Sequence, residues 1–396
     1  MSLPKVILKK NEERRLKSGH LWIFSNEIEK FPASTVNGSV VDVFNHKEYF
    51  VCKAFYNRNS LITLRVLTKN FDEEIDKSFF RKRLLDAFEF RNRYLRNNSS
   101  FRLVNGESDY LPGLVIDKFE NNFSIQTFSA GMETNLENIV SLLVELFDAE
   151  MIIAKNDFSM RELEGLERYE KILYGKNDKS PVPFITIIDS IKYKIDILAG
   201  QKTGFYLDQV NSRYLIRNYI NENSEVYDLF CNEGGFSLNA SYAGAKKVVA
   251  VDSSAYAIIT AKANSEINGF KNIQFIEEDI FSYLKNNKDE LKNSDLVILD
   301  PPSFAKSKKN IETAKRGYID LNSSVLKMIK KQSLLFTFSC SHHIDNKLFT
   351  EIIARSSSES RRDIKIIEEI NCSPDHPVLP AMNETKYLKG FLILVS

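Results

Sequence analysis

Residues 226–237 read Val-Tyr-Asp-Leu-Phe-Cys-Asn-Glu-Gly-Gly-Phe-Ser, a short apolar run that leads into a turn with two glycines. Such a run is typical of a buried strand, and here it passes directly into a predicted helix. Gly234 and Gly235 would let the backbone approach a ligand closely, because glycine has no side chain. The dinucleotide fingerprint G-x-G-x-x-G is absent, which argues against a nicotinamide oxidoreductase.

From residue 199 onward, predicted strands alternate with predicted helices. The predicted strands are residues 225–230, 247–252, 273–277, 296–299, 334–339, a run near 365–370, and 388–395. The helices between them include residues 255–268 and 311–330. This alternation indicates an α/β fold with a mostly parallel, doubly wound sheet, which binds ligands beyond the carboxyl ends of its strands.

Acidic residues occur at three successive strand ends in this region. Asp252 is well placed to accept hydrogen bonds from both hydroxyls of a ribose. Asp279 could accept from an adenine amino group, although a helix N-cap explains it equally well. A ligand with a ribose and an adenine but no pyrophosphate fits these positions best, and that describes S-adenosylmethionine.

Two further strand ends carry chemically capable side chains. Residues 295–304 read Asp-Leu-Val-Ile-Leu-Asp-Pro-Pro-Ser-Phe, and residues 334–341 read Leu-Leu-Phe-Thr-Phe-Ser-Cys-Ser. If these strands are neighbours, Asp300 and Cys340 face one crevice, since adjacent strands lie about 4.8 Å apart. The alternative for Cys340 is a buried structural cysteine.

Bulk composition sets wide limits. A chain of 396 residues with 43% hydrophobic content suits two or three globular domains. The net charge of +1 hides basic clusters within residues 5–17, 81–96 and 306–316, which together favour a polyanionic partner over solvated surface alone. The four cysteines form no Cys-x-x-Cys pair, so no metal site is expected. No signal peptide or bilayer-spanning run is evident, so a cytoplasmic protein without a membrane partner is expected.

The pattern before residue 199 differs from the alternation that follows it. Short strands separated by Asn-rich turns predict a small β-barrel in residues 1–71, and a basic helix with mixed strands predicts an α+β domain in residues 72–180. Residues 181–396 form the third predicted domain, with a leading β-hairpin at 184–198. A linker is predicted at 178–183.

Several motifs together resemble a known family. Between residues 228 and 341 they are Asp228-Leu-Phe-Cys-x-x-Gly-Gly-Phe-Ser237, Asp252, Glu278-Asp279, Asp300-Pro-Pro-Ser-Phe-Ala-Lys306 and Phe338-Ser-Cys-Ser341. Elsewhere they are Gly19-His-Leu-Trp-Ile-Phe-Ser-Asn-Glu-Ile28, residues 102–115, residues 200–209, Asp375-His-Pro-Val378 and Tyr387-Leu-Lys-Gly390. The set resembles the PUA-containing class I S-adenosylmethionine-dependent 23S rRNA (cytosine-C5) methyltransferases over essentially the whole chain. That resemblance implies an N-terminal PUA β-barrel, a small middle α+β domain and a C-terminal Rossmann-like methyltransferase domain.

The resemblance also implies the residues of a site, with Cys340 and Asp300 as its catalytic pair. The implied cofactor-binding residues are Phe205, Gln209, Asp228, Phe230, Gly234, Asp252, Ser253, Asp279, Ile280 and Asp300. The implied RNA contacts are Pro301, Pro302, Phe304, Lys306, Lys308 and Arg316. Filling the core is the alternative for Phe304. One departure is Asn232-Glu233, where family members commonly carry Tyr-Thr or a similar pair.

The expected reaction follows from the poor nucleophilicity of cytosine C5. A thiolate that adds at C6 makes C5 nucleophilic, and Cys340 is the candidate thiol. The expected partner is ribosomal RNA, either 23S RNA or a large-subunit assembly intermediate, and a homodimer is left open. Two alternatives remain. The first is a methyltransferase acting on an exocyclic amine of guanine or adenine, since Asp-Pro-Pro-Ser-Phe also resembles the loop of amino-methylating enzymes. The second is a non-catalytic RNA-binding or ribosome-assembly protein.

Overall fold

The computed structural model describes residues 3–32, 34–95, 99–175, 183–200, 203–305 and 308–396. The chain divides into two compact units. The first comprises Met1–Thr186, Ile195–Leu207 and Pro374–Thr385, and the second comprises Ile187–Lys194, Asp208–Ser373 and Lys386–Ser396. Most of the predicted linker at 178–183 lies outside the described residues. Within the described ranges, no helix is both long enough and apolar enough to cross a bilayer.

The N-terminal part of the first unit is a six-stranded sheet. Its strands are β1 (Lys5–Leu8), β2 (Trp22–Ile23), β3 (Ile28–Lys30), β4 (Val40–Phe44), β5 (Phe50–Tyr56) and β6 (Leu64–Thr68). The strands lie in the order β2-β6-β5-β4-β1-β3. Buried Val41 and Val43 alternate with half-exposed neighbours in β4, so one face of this strand packs into the core. A short helix, α1 (Arg14–Lys17), lies between β1 and β2 in the chain.

A second sheet of the first unit has five strands covered by helices. The strands are β7 (Ser100–Asn105), β8 (Leu114–Phe119), β9 (Asn122–Thr127), β10 (Met151–Lys155) and β11 (Glu170–Tyr174), and the helices are α2 (Lys77–Tyr94), α3 (Ala130–Thr134) and α4 (Leu136–Phe147). The strands lie in the order β11-β10-β9-β8-β7. Apolar residues Ile139, Leu142 and Leu143 of α4 are fully buried, which is the spacing of one helix face.

A two-stranded sheet of β12 (Phe184–Ile188) and β13 (Ile191–Ile195) comes next along the chain. The second unit then contains a seven-stranded sheet and its helices. The strands are β14 (Glu225–Leu229), β15 (Lys247–Asp252), β16 (Ile273–Glu277), β17 (Leu296–Leu299), β18 (Leu334–Ser339), β19 (Ile364–Asn371) and β20 (Lys389–Val395). The helices are α5 (Val210–Leu215), α6 (Gly235–Tyr242), α7 (Ala255–Asn268), α8 (Ile280–Asn286), α9 (Ile311–Met328) and α10 (Asn346–Ser360).

The order of the large sheet is β16-β15-β14-β17-β18-β20-β19. Only β20 runs antiparallel to its neighbours, so the prediction of a mostly parallel α/β sheet is confirmed. The strand order reverses between β14 and β17, and such switch points are where open α/β sheets bind ligands. The predicted bounds of α7 are also the observed ones, whereas α9 ends at Met328 because Ile329 has an extended backbone.

Helices cover both faces of this sheet. Val297 and Leu299 of β17 lie in one hydrophobic cluster, and Leu296 and Ile298 of the same strand lie in another. All four residues are fully buried. Burial on both faces explains why the strand reads as a continuous apolar run rather than as an alternating pattern.

Candidate active site

The strands that end at Asp300 and Cys340 are neighbours, as the sequence predicted. β17 pairs in parallel with β18, with Leu299 opposite Thr337. The loops that follow therefore leave the same edge of the sheet, and the Cys340 Sγ lies 4.0 Å from the carbonyl oxygen of Pro301. The arrangement places a thiol beside the Asp-Pro-Pro loop.

The four cysteines differ in burial, and burial decides which of them could act as nucleophiles. Burial raises the pKa of the Cys52 thiol to about 12. Burial, together with the nearby carboxyls of Asp228 and Asp252, raises the pKa of Cys231 well above its usual range. Cys340 and Cys372 are only partly buried. Because the thiolate is the reactive form, Cys52 and Cys231 are unsuited to addition chemistry.

The two serines that flank Cys340 are anchored. The Ser339 hydroxyl lies 3.1 Å from the Tyr318 hydroxyl, and the Ser341 hydroxyl donates to the carbonyl oxygen of Ala305 at 3.2 Å. Both serines are fully buried. Burial raises the pKa of Tyr318, which keeps this phenol neutral. The backbone on either side of the thiol is thus fixed by hydrogen bonds rather than by Cys340 itself.

Asp300 is held by Gln209. The amide Nε2 of Gln209 donates to Oδ2 of Asp300 at 3.1 Å, and Gln209 itself is 2% exposed. The amide Oε1 of Gln209 is buried and accepts no hydrogen bond within the described ranges. A carboxylate offers about four acceptor positions, and the bond from Gln209 uses one of them.

The turn after β14 has an unusual backbone. Phe230 and Asn232 have φ angles of +77° and +47°, and Gly234 follows at +85°. A bulky residue at positive φ costs on the order of 1–3 kcal/mol, and such strain clusters at functional sites. At the next position, a Cβ on Gly235 would lie 2.5 Å from the Arg213 Nε, so a larger residue would collide with that side chain. The glycine turn predicted from the sequence is therefore required by its packing.

Asp228 lies fully buried beneath this turn. Its Oδ2 accepts hydrogen bonds from the backbone N–H of Ser237 at 2.9 Å and from the Ser237 hydroxyl at 2.6 Å. Its Oδ1 is buried and has no hydrogen-bond partner in the part of the chain that the structure describes. Burial raises the pKa of this carboxyl to about 7. An unused acceptor beneath a glycine turn is compatible with a cofactor that brings its own donor.

The raised pKa of Asp228 predicts how an amide at this position alters stability. Below pH 4 Asp228 is neutral in both the folded and the unfolded state, so its raised pKa costs little free energy of folding. Between pH 4 and about pH 7 the unfolded state ionises while the folded state resists ionisation, so the free energy of unfolding falls progressively. Above pH 7 the loss stays constant. Asp228→Asn is neutral at every pH. We expect its unfolding free energy, relative to the unsubstituted protein, to rise by roughly 2–3 kcal/mol between pH 5 and pH 8.

Urea unfolding followed by circular dichroism at the two pH values measures this difference. Asp363→Asn, at an exposed site of the same unit, is the matched control and should show none. Parallel pH dependences for Asp228→Asn and the unsubstituted protein would contradict the prediction.

Asp252 is pre-oriented at the end of β15. Its Oδ2 accepts from the backbone N–H of Asn232 and its Oδ1 from that of Ser254, both at 2.9 Å. Each oxygen keeps further acceptor capacity, which suits two adjacent hydroxyls. Asn232 contributes only its backbone to this contact, so its departure from the family pattern leaves the contact unchanged. Glu233 is buried, and its carbonyl oxygen accepts from the Asn264 amide at 3.1 Å.

At the end of β16, the structure shows the helix N-cap that was the alternative role for Asp279. Asp279 caps α8, because its Oδ1 accepts from the backbone N–H of Ser282 at 3.0 Å. Ile280 is buried in the hydrophobic core, whereas Phe281 is 46% exposed. Ser253 is exposed beside Asp252. The other oxygen of Asp279 is not used by this cap and remains an acceptor in the cap geometry.

The residues predicted to contact RNA differ in their packing, ion pairing and exposure. Phe304 packs on Tyr318 with ring centroids 4.6 Å apart and joins the core, which is the alternative noted for it. Arg316 is paired with Asp320 and Glu359 at 3.0 and 3.3 Å. Pro301 is buried and Pro302 is exposed. Lys306 and the side chain of Lys308 lie outside the described residues.

Phe205, which was predicted from the sequence, and Lys389, which was not, are both buried. Phe205, predicted to contact the cofactor, is buried in the first unit. Lys389 was not singled out by the sequence reasoning, although it is 4% exposed and lies beside the cysteine loop. The signal for it was a lone lysine in the otherwise apolar run Leu388–Val395. A buried charge in a central strand demands a partner and therefore an explanation.

Comparison with known sequences gives two family matches. Residues 6–69 match the PUA-like domain family, and residues 178–389 match an S-adenosylmethionine-dependent methyltransferase family. The ribosomal RNA large subunit methyltransferase I of Vibrio parahaemolyticus is 38% identical over 392 residues, which is 98% of each chain. The protein of the same name from Klebsiella pneumoniae is 35% identical, over 98% of this chain and 97% of that protein.

Comparison with solved structures supports the same fold. SMU.776, a protein assigned as a methyltransferase and crystallised with SAH, superposes with a TM-score of 0.84 and is 20% identical, over 99% of this chain and all of that one. A second structure, from Streptococcus mutans, gives a TM-score of 0.82. At this identity the likeness shows the fold alone. Together with the two family matches, it confirms the N-terminal PUA-like and C-terminal class I architecture.

Proposed function

We infer that this chain, which belongs to the PUA-containing S-adenosylmethionine-dependent ribosomal RNA large-subunit methyltransferases, methylates C5 of a cytosine in 23S ribosomal RNA. The observation that carries this proposal is the thiol of Cys340 at the end of a strand next to the one that ends in Asp300. A methyltransferase that acts on an exocyclic amine needs no such thiol. We also propose that the chain has three domains, which comprise residues 1–71, 72–180 and 181–396.

The second unit has suitable residues for S-adenosylmethionine. Asp252 would hold the ribose hydroxyls, and the turn at Gly234 would lie against the methionine portion, close to the unused acceptor of Asp228. When bound, S-adenosylmethionine supplies an electrophilic methyl group that becomes bonded to C5 of the base, and SAH is released. No metal is needed for this transfer.

Cys340 would make C5 able to accept that methyl group. Its thiolate forms a bond to C6, and the electron pair of the C5–C6 double bond moves into the ring toward N3, which makes C5 nucleophilic. After C5 is methylated, a base removes the C5 proton. The electron pair of that C–H bond restores the double bond, the S–C6 bond breaks, and Cys340 leaves as a thiolate.

Asp300 would act on the other side of the base. Its carboxylate, oriented by Gln209, is suited to hydrogen-bond the N3/N4 edge of cytosine and to favour protonation at N3. A proton at N3 neutralises the charge that thiolate addition pushes into the ring. The basic residues of the loop after Asp300 would hold neighbouring phosphates, which position an RNA without reading its sequence.

The position of the methyl group tests this proposal directly. Ribosomal RNA from cells that lack the protein is incubated with the purified protein and labelled S-adenosylmethionine, and the RNA is then digested and analysed by mass spectrometry. We expect the label in 5-methylcytidine and one new bisulfite-resistant cytosine in 23S RNA. Label in an N-methylated guanosine or adenosine would replace the proposal with the amino-methylating alternative, and no label in any RNA would leave a non-catalytic RNA-binding protein.

A further inference from the structure

Lys389 is a buried cation in the strand next to β19, which is the edge strand of the sheet. It begins β20, where it pairs with Ser339 of β18 on one side and with Asn371 of β19 on the other. Cys340 comes directly after Ser339, and Cys372 comes directly after Asn371. The register therefore brings a lysine between the two partly buried cysteines of the chain.

The ammonium group of Lys389 binds the loop that carries Cys340. It donates to the carbonyl oxygen of Ser341 at 2.5 Å and also to that of Ile344. Both acceptors follow Cys340 in the chain, so the lysine fixes the path of the backbone as it leaves the thiol. Hydrogen bonds from a charged donor are roughly twice as strong as neutral ones, which suits a loop that must not move.

Holding a loop does not by itself explain a charged side chain. Burying an ammonium costs several kcal/mol unless other charges and dipoles compensate for it, and a neutral amide side chain could donate to the same carbonyls. The charged or ionisable neighbours that interact electrostatically with Lys389 include Cys340, Cys372, Asp345 and Lys386. Burial lowers the pKa of Lys389 to about 8, and of the neighbours that oppose this effect Cys340 is the strongest. At neutral pH the lysine is therefore mainly charged, and it is charged next to the thiol.

We propose that Lys389 is a positioning residue that fixes the loop after Cys340 and stabilises the Cys340 thiolate by its positive charge. This proposal rests on the proposed function, in which the thiolate attacks C6 and leaves again at the end of the reaction. A nearby cation favours the thiolate over the thiol, both before addition and on departure. Tyr318 interacts electrostatically with both Cys340 and Asp300, and two histidines, His342 and His343, follow Cys340 in the same loop.

Alkylation of Cys340 without RNA or cofactor tests the proposal. The rate of reaction with iodoacetamide is measured from pH 5.5 to 10 by mass spectrometry of the peptide that contains Cys340. In the unsubstituted protein we expect the midpoint of the pH curve below about 8.5, the value of an ordinary thiol. In Lys389→Met we expect the midpoint to rise by at least one pH unit and the rate at pH 7 to fall about tenfold, whereas Lys389→Arg should keep a lower midpoint than Lys389→Met.

Cys231 reports on folding of the second unit in the same experiment, because it lies in the same unit as Lys389. Its thiol is buried and stays protonated, so its alkylation should remain negligible in every variant whose second unit is folded. If Lys389→Met exposes Cys231, the midpoint of the unsubstituted protein alone decides, and a value at or above 8.5 overturns the proposal. Equal midpoints in folded Lys389→Met and the unsubstituted protein also overturn it and leave a purely structural lysine.

Activity measurements separate this proposal from the proposed function. Lys389→Met should lower kcat with little change in the KM for RNA, because the lysine acts on the thiol and not on substrate binding. If Cys340→Ala retains full methyl transfer, the covalent mechanism is wrong whatever the alkylation curves show. If Cys340→Ala is inactive but the curves coincide, only the role of Lys389 is wrong.

Discussion

Cys340→Ala is expected to bind S-adenosylmethionine as the unsubstituted protein does and to transfer no measurable methyl group. Without the thiol, C5 of cytosine stays a poor nucleophile, and we expect kcat to fall by roughly 10⁴-fold or more. Asp252 and Asp228, which we propose contact the cofactor, lie on other strands, so their hydrogen bonds should not change. Calorimetric titration measures cofactor binding, and incorporation of labelled methyl into 23S RNA measures transfer.

Cys372→Ala is the matched control, because it removes the other partly buried thiol from the same unit and should retain activity. RNA with 5-fluorocytosine at the target adds a second test. Fluorine cannot leave C5 as a proton does, so the covalent bond from Cys340 should persist after methyl transfer and be visible on a denaturing gel. Full activity of Cys340→Ala, or a trapped complex formed by that variant, would refute the mechanism.

Asp300→Asn should give the second largest effect. An amide can still receive the hydrogen bond from Gln209, but it cannot stabilise a proton at N3 of cytosine by charge. We therefore expect kcat to fall by about 10²- to 10⁴-fold, with cofactor affinity changed only slightly. Single-turnover methylation of 23S RNA at saturating cofactor separates the chemical step from binding.

The opposite end of the same strand supplies the control for Asp300. Asp295 precedes β17 and is bonded to Lys330 and to the backbone N–H of Glu225, far from the carboxyl edge of the sheet. Asp295→Asn should leave the rate of transfer within a few-fold of normal. If Asp300→Asn is as active as Asp295→Asn, the carboxylate has no role in the reaction of the base.

The sequence predicted those parts of the site that depend on local pattern. The glycine turn, the acid at the end of β15 and the two apolar runs before Asp300 and Cys340 all follow from strand and turn signals within a few residues. The neighbouring position of β17 and β18 followed from the fold class that those signals indicated. What the local pattern left open was the choice between a ligand contact and a structural role at Asp279 and Phe304, because a cap or a core ring has the same local sequence as a binding residue.

Contacts between distant residues were beyond the local pattern. The hydrogen bond from Gln209 to Asp300 joins residues 91 positions apart, and that from Lys389 to Ser341 joins residues 48 apart. The second depends on the register of β20 against β18, and the first joins a short helical turn at Gln209 to the loop after β17. A lysine in an apolar run indicates a buried charge. Only the pairing of β20 with β18 shows that Lys389 lies opposite Ser339, the residue before Cys340.

The pairing of β18 with β20 also determines when β18 can gain its second neighbouring strand during synthesis of the chain. β18 has β17 on one side, but its other neighbour is β20, which is made only after α10 and β19. Until then the strand that carries the thiol is an edge strand, open to pairing with other chains. In a partly synthesised chain, strands β14 to β16 can therefore pair before Lys389 of β20 is present to fix the loop that follows Cys340.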